Sequence, residues 1–372
     1  MQPKRIAALV AVVAVIAALA FSPLQGILAR QLSTPPQVAV APSPTMAPAA
    51  LATSTPVPMP TSTPIPEPTP VPPTPTPAPA QSLLAGKTWL TIYGRAFEAG
   101  PILGRLANYK NLDDMAAEVN PWIKEIKQVN GGKEVVPVVH LIYGMAIPCE
   151  PDNDCLFYLD SAGFPLVEDY IKPALERGYQ VILDTQLGAS NPVAQVKRMI
   201  SKGYLDYPNV HVAIDPEFHL HPGEDLPGIP IGQIDASDVN AVQQLLDELV
   251  VQKNLPKKVL IVHQFGDANV NDGNPFMITN KKAVKTFSNV DLVIDADGFG
   301  KPGIKVKKYN QITDHEEYPF IQFRAIKLFF FNPHEERHHG DNPVMTWPEV
   351  FGVEEVVDGV RMNYHPDIIV VA

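Results

Sequence analysis

Cysteine is nearly absent: two residues in 372. That excludes a fold stapled by many disulfides and a multi-cysteine metal centre. Basic charge is also scarce, with 29 Lys and Arg against 40 Asp and Glu and a net charge of −11. Phosphate backbones need a basic surface, so nucleic acid is excluded as a partner. The same balance excludes docking of the globular part on anionic lipid. There is no glycine-rich loop of the GxGxxG or GKS/T kind, so no nucleotide-phosphate cradle is marked. No Cys lies near the N-terminal apolar run, which removes lipoprotein anchoring.

Proline, by contrast, is abundant, with 40 residues crowded toward one region. The chain therefore divides into three parts. Residues 1–32 begin MQPKR and continue IAALVAVVAVIAALAF, a positive start and an apolar run. Ala18-Leu19-Ala20 offers a small-residue cleavage site, while 6–29 is long enough to span a bilayer. Signal peptide and signal anchor both remain open. Either way, Lys4 and Arg5 keep the N-terminus inside and send the rest outside, so the expected location is extracellular or cell-surface. Residues 33–82 form a Pro/Thr-rich, disordered stalk. Dense proline favours extended polyproline II with a reach on the order of 140 Å, and a passive spacer is the expected role. Residues 83–372 read as one globular domain. Setting aside Lys4, Arg5, Arg30 and Glu67 leaves it at −13.

Cys149 and Cys155 sit in the turn-rich stretch PCEPDNDCL. In an oxidising compartment they are expected to pair and pin a loop.

Between Trp89 and the C-terminus, β-branched runs alternate with helical patterns. The runs are 89–95, 135–143, 180–186, 210–217, 259–265, 291–297, 320–330 and 367–372. Helix candidates lie near 111–128, 164–177, 191–202, 235–253, 279–287 and 303–312, with a short seventh near 346–351. Strands alternating with helices imply a parallel sheet. Eight of them in one domain imply an α/β fold of the (β/α)8 TIM-type barrel class, with an open doubly wound sheet as the alternative. In VHVAIDPE the period of two sends Val210, Val212 and Ile214 toward the helices and His211, Ala213, Asp215 and Glu217 inward. DLVIDAD places Leu292 and Ile294 outward and Val293, Asp295 and Asp297 inward.

Polar residues gather at the C-terminal ends of these runs. They are Arg95, His140, Asp184 and Gln186, Asp215 and Glu217, His263 and Gln264, Asp295 and Asp297, and Arg324. Barrel enzymes build their sites at that rim. A solvated rim of mutual salt bridges is the plain alternative. Within the ring, Asp215-Pro216-Glu217 is the most specific feature. Two neighbouring carboxylates do not both ionise easily, so one is expected to hold its proton near neutral pH. A glycosidic general acid needs such a proton.

An apolar fourth strand ending in Asp-x-Glu resembles the secreted (β/α)-barrel glycoside hydrolases that cleave amino sugars, the chitinase-like enzymes and barrel-type lysozymes. More loosely, the chain resembles secreted bacterial barrel proteins on Pro-rich stalks. The resemblance implies Glu217 as proton donor and Asp215 as its orienting partner, with Asp295 or Asp297 as a further carboxylate. It rests on the fold pattern and one tripeptide. Where the chitinase pattern carries two more Asp residues, this chain has Ala213 and Val210.

The expected function is therefore hydrolysis of a cell-wall or extracellular glycan by carboxylate acid/base catalysis, in a monomer, without a cofactor. Arg95, His140, Asp184, Gln186, His263, Gln264 and Arg324 would bind substrate. Membrane contact would come only through the N-terminal segment. Two alternatives remain open. One is a metal-dependent hydrolase using Zn²⁺ or Mn²⁺ on the mixed His and carboxylate ring. The other is a non-catalytic carbohydrate-binding surface protein. Aromatics near the rim (Tyr93, Phe97, Tyr143, Phe218, Phe265 and Phe299) suit sugar faces or packing equally. The loop 332–343 is expected to carry specificity or to be solvated.

Overall fold

The computed structural model describes residues 81–99, 104–149, 153–266, 277–330 and 340–372. The N-terminal apolar segment and residues 33–80 of the expected stalk lie outside them. Among the described residues, no helix is long and apolar enough to cross a membrane.

The β-branched runs form eight parallel strands: β1 (Lys87–Gly94), β2 (Glu134–Ala146), β3 (Gln180–Thr185), β4 (Val210–Ile214), β5 (Lys258–Gln264), β6 (Val290–Ala296), β7 (Phe323–Leu328) and β8 (Ile368–Val371). Each pairs with the next, and β1 pairs with both β2 and β8, which closes the sheet into a barrel. The open-sheet alternative is thereby excluded. A short strand at Leu156–Tyr158 adds antiparallel to β2 outside the ring. Closure leaves no free edge and buries both faces of every strand.

The two faces make two cores. Between sheet and helices lie Val210, Val212 and Ile214, with Leu292 and Ile294. Inside the barrel lie Trp89, Val136, Val138, Ile182, Ala213, Val259, Ile261, Val293 and Ala325. The inward and outward sets read from period two are those observed in β4 and β6. Each large side chain so buried contributes about 1.5–3 kcal/mol.

The interior is graded along its axis. At the N-terminal end, Trp89 packs against His211, whose Nδ1 accepts the Val259 N–H at 3.1 Å. Leu84 plugs this end, 1% exposed. Ser82, at the end of the expected stalk, donates to Asp291 Oδ2 at 2.7 Å, and Leu83 N–H donates to the same oxygen at 3.2 Å. Ser82, the last residue of the expected stalk, thus already contacts the barrel. Polar side chains collect at the opposite end.

The helices are α1 (Leu112–Val129), α2 (Lys172–Glu176, continuing a π turn at Val167–Ile171), α3 (Pro192–Ser201), α4 (Ala236–Lys253), α5 (Pro302–Ile312) and α6 (Trp347–Val350). Their starts follow local chemistry. Asn111 accepts from the N–H groups of Asp113 and Asp114, and Asp235 with Asp238 forms a capping box on α4. The helix expected near 279–287 does not form. Asn280 is left-handed at φ 52°, and only a 3₁₀ turn follows at Lys281–Ala283. The segment then runs along α4, whose side chains take its backbone groups. Asn240 bonds Ala283 O at 3.0 Å and Lys285 N at 2.7 Å, Gln243 bonds Lys285 O at 2.8 Å, and Asp247 accepts from Asn289 N at 2.8 Å. With those groups satisfied from outside, an internal helix gains nothing.

Cys149 and Cys155 form a disulfide. It ties the chain leaving β2 to the short antiparallel strand.

Candidate active site

A cavity of about 510 Å³ opens at the C-terminal ends of the strands. Its floor carries Tyr93, Gln186, Asp215, Glu217, Asp297 and Lys327, and its walls include Phe218, Phe265, Phe299, Phe329 and Phe330. Asp215 follows β4 and caps a 3₁₀ turn, Pro216–Phe218, by accepting the Glu217 N–H at 3.2 Å. Both acids therefore meet the cavity, Glu217 from the turn and not from the strand. Asp297 follows β6, and Lys327 is the inward residue near the end of β7.

Beneath the floor, four side chains with no solvent exposure fill the barrel: His140, Asp184, His263 and Asp295. Strand register brings them together, since Tyr93 pairs with His140 and His263 pairs with Asp295. His140 Nε2 bonds Asp184 Oδ2 at 3.2 Å. His263 Nε2 lies 3.2 Å from the same oxygen, and its Nδ1 lies 2.7 Å from Asp295 Oδ2 and 3.2 Å from Asp297 Oδ2. These contacts set the His263 imidazole between three carboxylates. Lys327 Nζ completes the chain, 2.8 Å from Asp297 Oδ2 and 3.9 Å from the Tyr93 ring centre.

These contacts set the protonation states. Burial opposes charge on Asp297, but Lys327 and His263 outweigh it and hold the carboxyl below the usual carboxylate range. Burial likewise opposes charge on Lys327, but Asp297 and its other neighbours keep the amine well above its ordinary value. His263 loses to burial and to Lys327, yet Asp184 and Asp295 push it well above the imidazole range. Asp184 is held low by His263 and His140 against its own burial. Burial lowers His140. Among the described residues, Asp215 and Glu217 have no salt-bridge partner. Burial first, with help from Asp184 and Asp297, raises Asp215 to about 7. Burial, then Asp215 and Asp297, raise Glu217 to about 8. The cavity thus holds one ionised carboxylate beside two carboxyls that keep protons near neutrality.

No protein-family model matches the chain, and no curated protein matches it in sequence. Function must be argued from the site itself.

Of the residues expected to touch substrate, Gln186 lines the cavity, with Asp215, Glu217 and Asp297. His140, Asp184, His263 and Asp295 face inward but lie below the floor, where no substrate reaches. Gln264 is also fully buried, but it follows His263 on β5 and so turns to the helix side. Arg95 is 4% exposed and does not line the cavity. Arg324 is a correction of both end and face. The strand begins at Phe323, so Arg324 stands at its N-terminal end, pointing out to Thr313 O at 3.1 Å and over the Tyr364 ring. Among the aromatics, Tyr93, Phe218, Phe265 and Phe299 line the cavity, while Phe97 and Tyr143 pack in the outer layer.

Sequence reasoning missed Lys327 as a site residue. The alternation in FRAIKL places Ala325 and Lys327 together, and Ala325 is interior. Of the loop 332–343, residues 332–339 lie outside the described residues. Asp341 is buried and accepts from Gly300 N–H and Phe329 N–H at 2.9 and 3.0 Å.

Among the described residues, two groups have the spacing of metal ligands: His140 with Asp184 and His263, and His263 with Asp295 and Asp297. In the second, the Lys327 ammonium already neutralises Asp297. The first has two imidazoles and one carboxylate, but His263 is held protonated between carboxylates and would have to lose that proton to bind a metal.

Proposed function

We propose that the barrel is a glycoside hydrolase working by carboxylate acid/base chemistry on an extracellular or cell-wall glycan. The observation that carries this reading is the pairing in one cavity of Glu217, raised to about 8, with Asp297, held ionised by Lys327. Glycosidic cleavage needs both states at once: a proton for the leaving oxygen and a negative carboxylate facing the developing oxocarbenium charge or an incoming water.

In this reading Glu217 is the general acid. Asp215 raises its pKa as a like charge and fixes the turn that carries it. Asp297 supplies the anion, because Asp295 is enclosed beneath the floor. Lys327 is an electrostatic partner and not a nucleophile, since an amine held as ammonium has no free electron pair. The disulfide suits an oxidising compartment, and with the basic start and apolar run of residues 1–32 it supports an exported protein.

The alternative, a metal-dependent hydrolase on the mixed His and carboxylate ring, is disfavoured because the His140, Asp184 and His263 group lies beneath the floor of the cavity. One experiment separates them: reducing-sugar release from a panel of cell-wall and amino-sugar glycans, by wild type and Glu217→Gln, with and without EDTA. Hydrolysis that survives EDTA and disappears in Glu217→Gln is expected. Loss in EDTA with recovery on added Zn²⁺ or Mn²⁺ would establish the metal reading. Glycan binding without cleavage would establish a binding module.

A further inference from the structure

Two of the buried lysines give their ammonium groups to pairs of backbone carbonyls, with different results. Lys258, at the start of β5, is fully buried and donates to Tyr207 O at 2.8 Å and Val210 O at 3.0 Å. Both carbonyls belong to the single turn that enters β4, so this lysine ties one connection to itself. Lys305, in the first turn of α5, is 5% exposed and donates to Gly298 O at 2.7 Å and Lys327 O at 2.6 Å. Gly298 follows β6 and Lys327 lies in β7, so this ammonium joins the ends of two strands.

The join falls where the sheet stops. The strands β6 and β7 pair from Val293 with Phe323 to Ala296 with Ile326. The next residues on each are Asp297 and Lys327, and both are tied to their other neighbours. Asp297 N–H donates to Gln264 O on β5 at 2.7 Å, and Lys327 pairs with Val370 on β8. Among the described residues, no ladder pair joins Asp297 to Lys327. Two crossbars take its place. Lys305 is the first. Asp341 is the second: its Oδ1 accepts the Gly300 N–H at 2.9 Å and its Oδ2 accepts the Phe329 N–H at 3.0 Å. Lys305 Nζ and Asp341 Oδ1 lie 3.2 Å apart, so each charge is matched by the other. Gly298 carries the restraint onward, because its N–H donates to Asp297 Oδ1 at 2.5 Å. A buried carbonyl without a donor costs free energy, so both segments stay on the lysine. A buried ion pair adds little stability over an apolar replacement, but it fixes geometry.

We propose that Lys305, oriented by Asp341, is a positioning residue that sets the contact between Asp297 and Lys327 by clasping the two strand ends that carry them. The inference rests on the hydrolase reading above, in which Asp297 is the anion facing the developing charge and Lys327 keeps it ionised. Such a role depends on place: a misplacement of about 1 Å costs on the order of 10²-fold in rate. The contact to be kept is the 2.8 Å between Lys327 Nζ and Asp297 Oδ2.

The test is the full chain carrying Lys305→Met and Asp341→Asn together, which removes the clasp without stranding a charge. Its crystal structure should show Asp297 Oδ2 and Lys327 Nζ more than about 4 Å apart, beyond ion-pair reach. On a glycan that wild type cleaves, kcat should fall about tenfold or more, with KM within about twofold. Lys258→Met is the control, since it removes a lysine with the same kind of backbone bonds. It should keep both the contact and kcat, whatever it does to the melting temperature. Should the double variant fail to fold, Lys305→Gln keeps an N–H donor on a shorter side chain and should show the same changes in smaller measure. An unmoved contact in the folded variant, or an equal loss of kcat in Lys258→Met, would overturn the positioning role. The hydrolase reading is scored separately. No cleavage by wild type across the glycan panel would remove it, and the crystallographic distance would still decide the clasp.

Discussion

Lys327→Met isolates the electrostatics on which the site depends. Methionine keeps most of the length and loses the charge. In the native barrel the Lys327 ammonium lies 2.8 Å from Asp297 Oδ2, with both side chains nearly buried. Removing one partner of such a pair strands the other charge and costs about 3–5 kcal/mol. His263, 3.2 Å away, offsets part of this, so the lower end is expected. At about 2–4 °C per kcal/mol for a domain of this class, the melting temperature should fall on the order of 10 °C. The loss should also depend on pH. In wild type, the folded-state pKa of Asp297 is depressed, so its contribution is present above the unfolded value of about 3.9 and disappears only in stronger acid. Without Lys327, burial should outweigh His263 and carry the Asp297 pKa above its unfolded value. The penalty should then grow as pH rises from about 4 to 7, and added Asp297→Asn should recover most of it. Urea denaturation of the three proteins at acid and neutral pH measures this. A loss below about 1 kcal/mol, or one equal at both pH values, would refute the reasoning.

Asp215→Asn removes the like charge that helps raise Glu217, so the alkaline limb of the activity profile should move to lower pH; a shift to higher pH would contradict the coupling. Replacing Cys149 and Cys155 by Ser frees a loop of sequence separation 6, and denaturation should show a loss of about 2 kcal/mol with hydrolysis retained.

The barrel was legible in the sequence because its strands are short β-branched runs separated by helical stretches, and eight of them in one domain favour a closed parallel sheet. Asp215, Glu217 and Asp297 were legible because they follow strands whose alternation is unambiguous. Arg324 was misread for a physical reason. Both faces of a barrel strand are buried, so apolarity does not say which of two registers faces inward. In FIQFRAIKLFF the strand bounds decide, and β7 is only its middle. Depth along the axis was also hidden. His140 and His263 face inward as alternation requires, but nothing in one strand reveals that its neighbour's register sinks them below the floor. The missing helix near 279–287 depended on α4 side chains distant in sequence.

The central claim is that the cavity keeps a proton on Glu217 at neutral pH. Carbon NMR titration of the labelled glutamate side chains, assigned by Glu217→Gln, measures it directly. A transition near pH 8, shifted downward in Asp215→Asn, is the expected result. A transition in the ordinary glutamate range, about 4 to 5, would contradict the account.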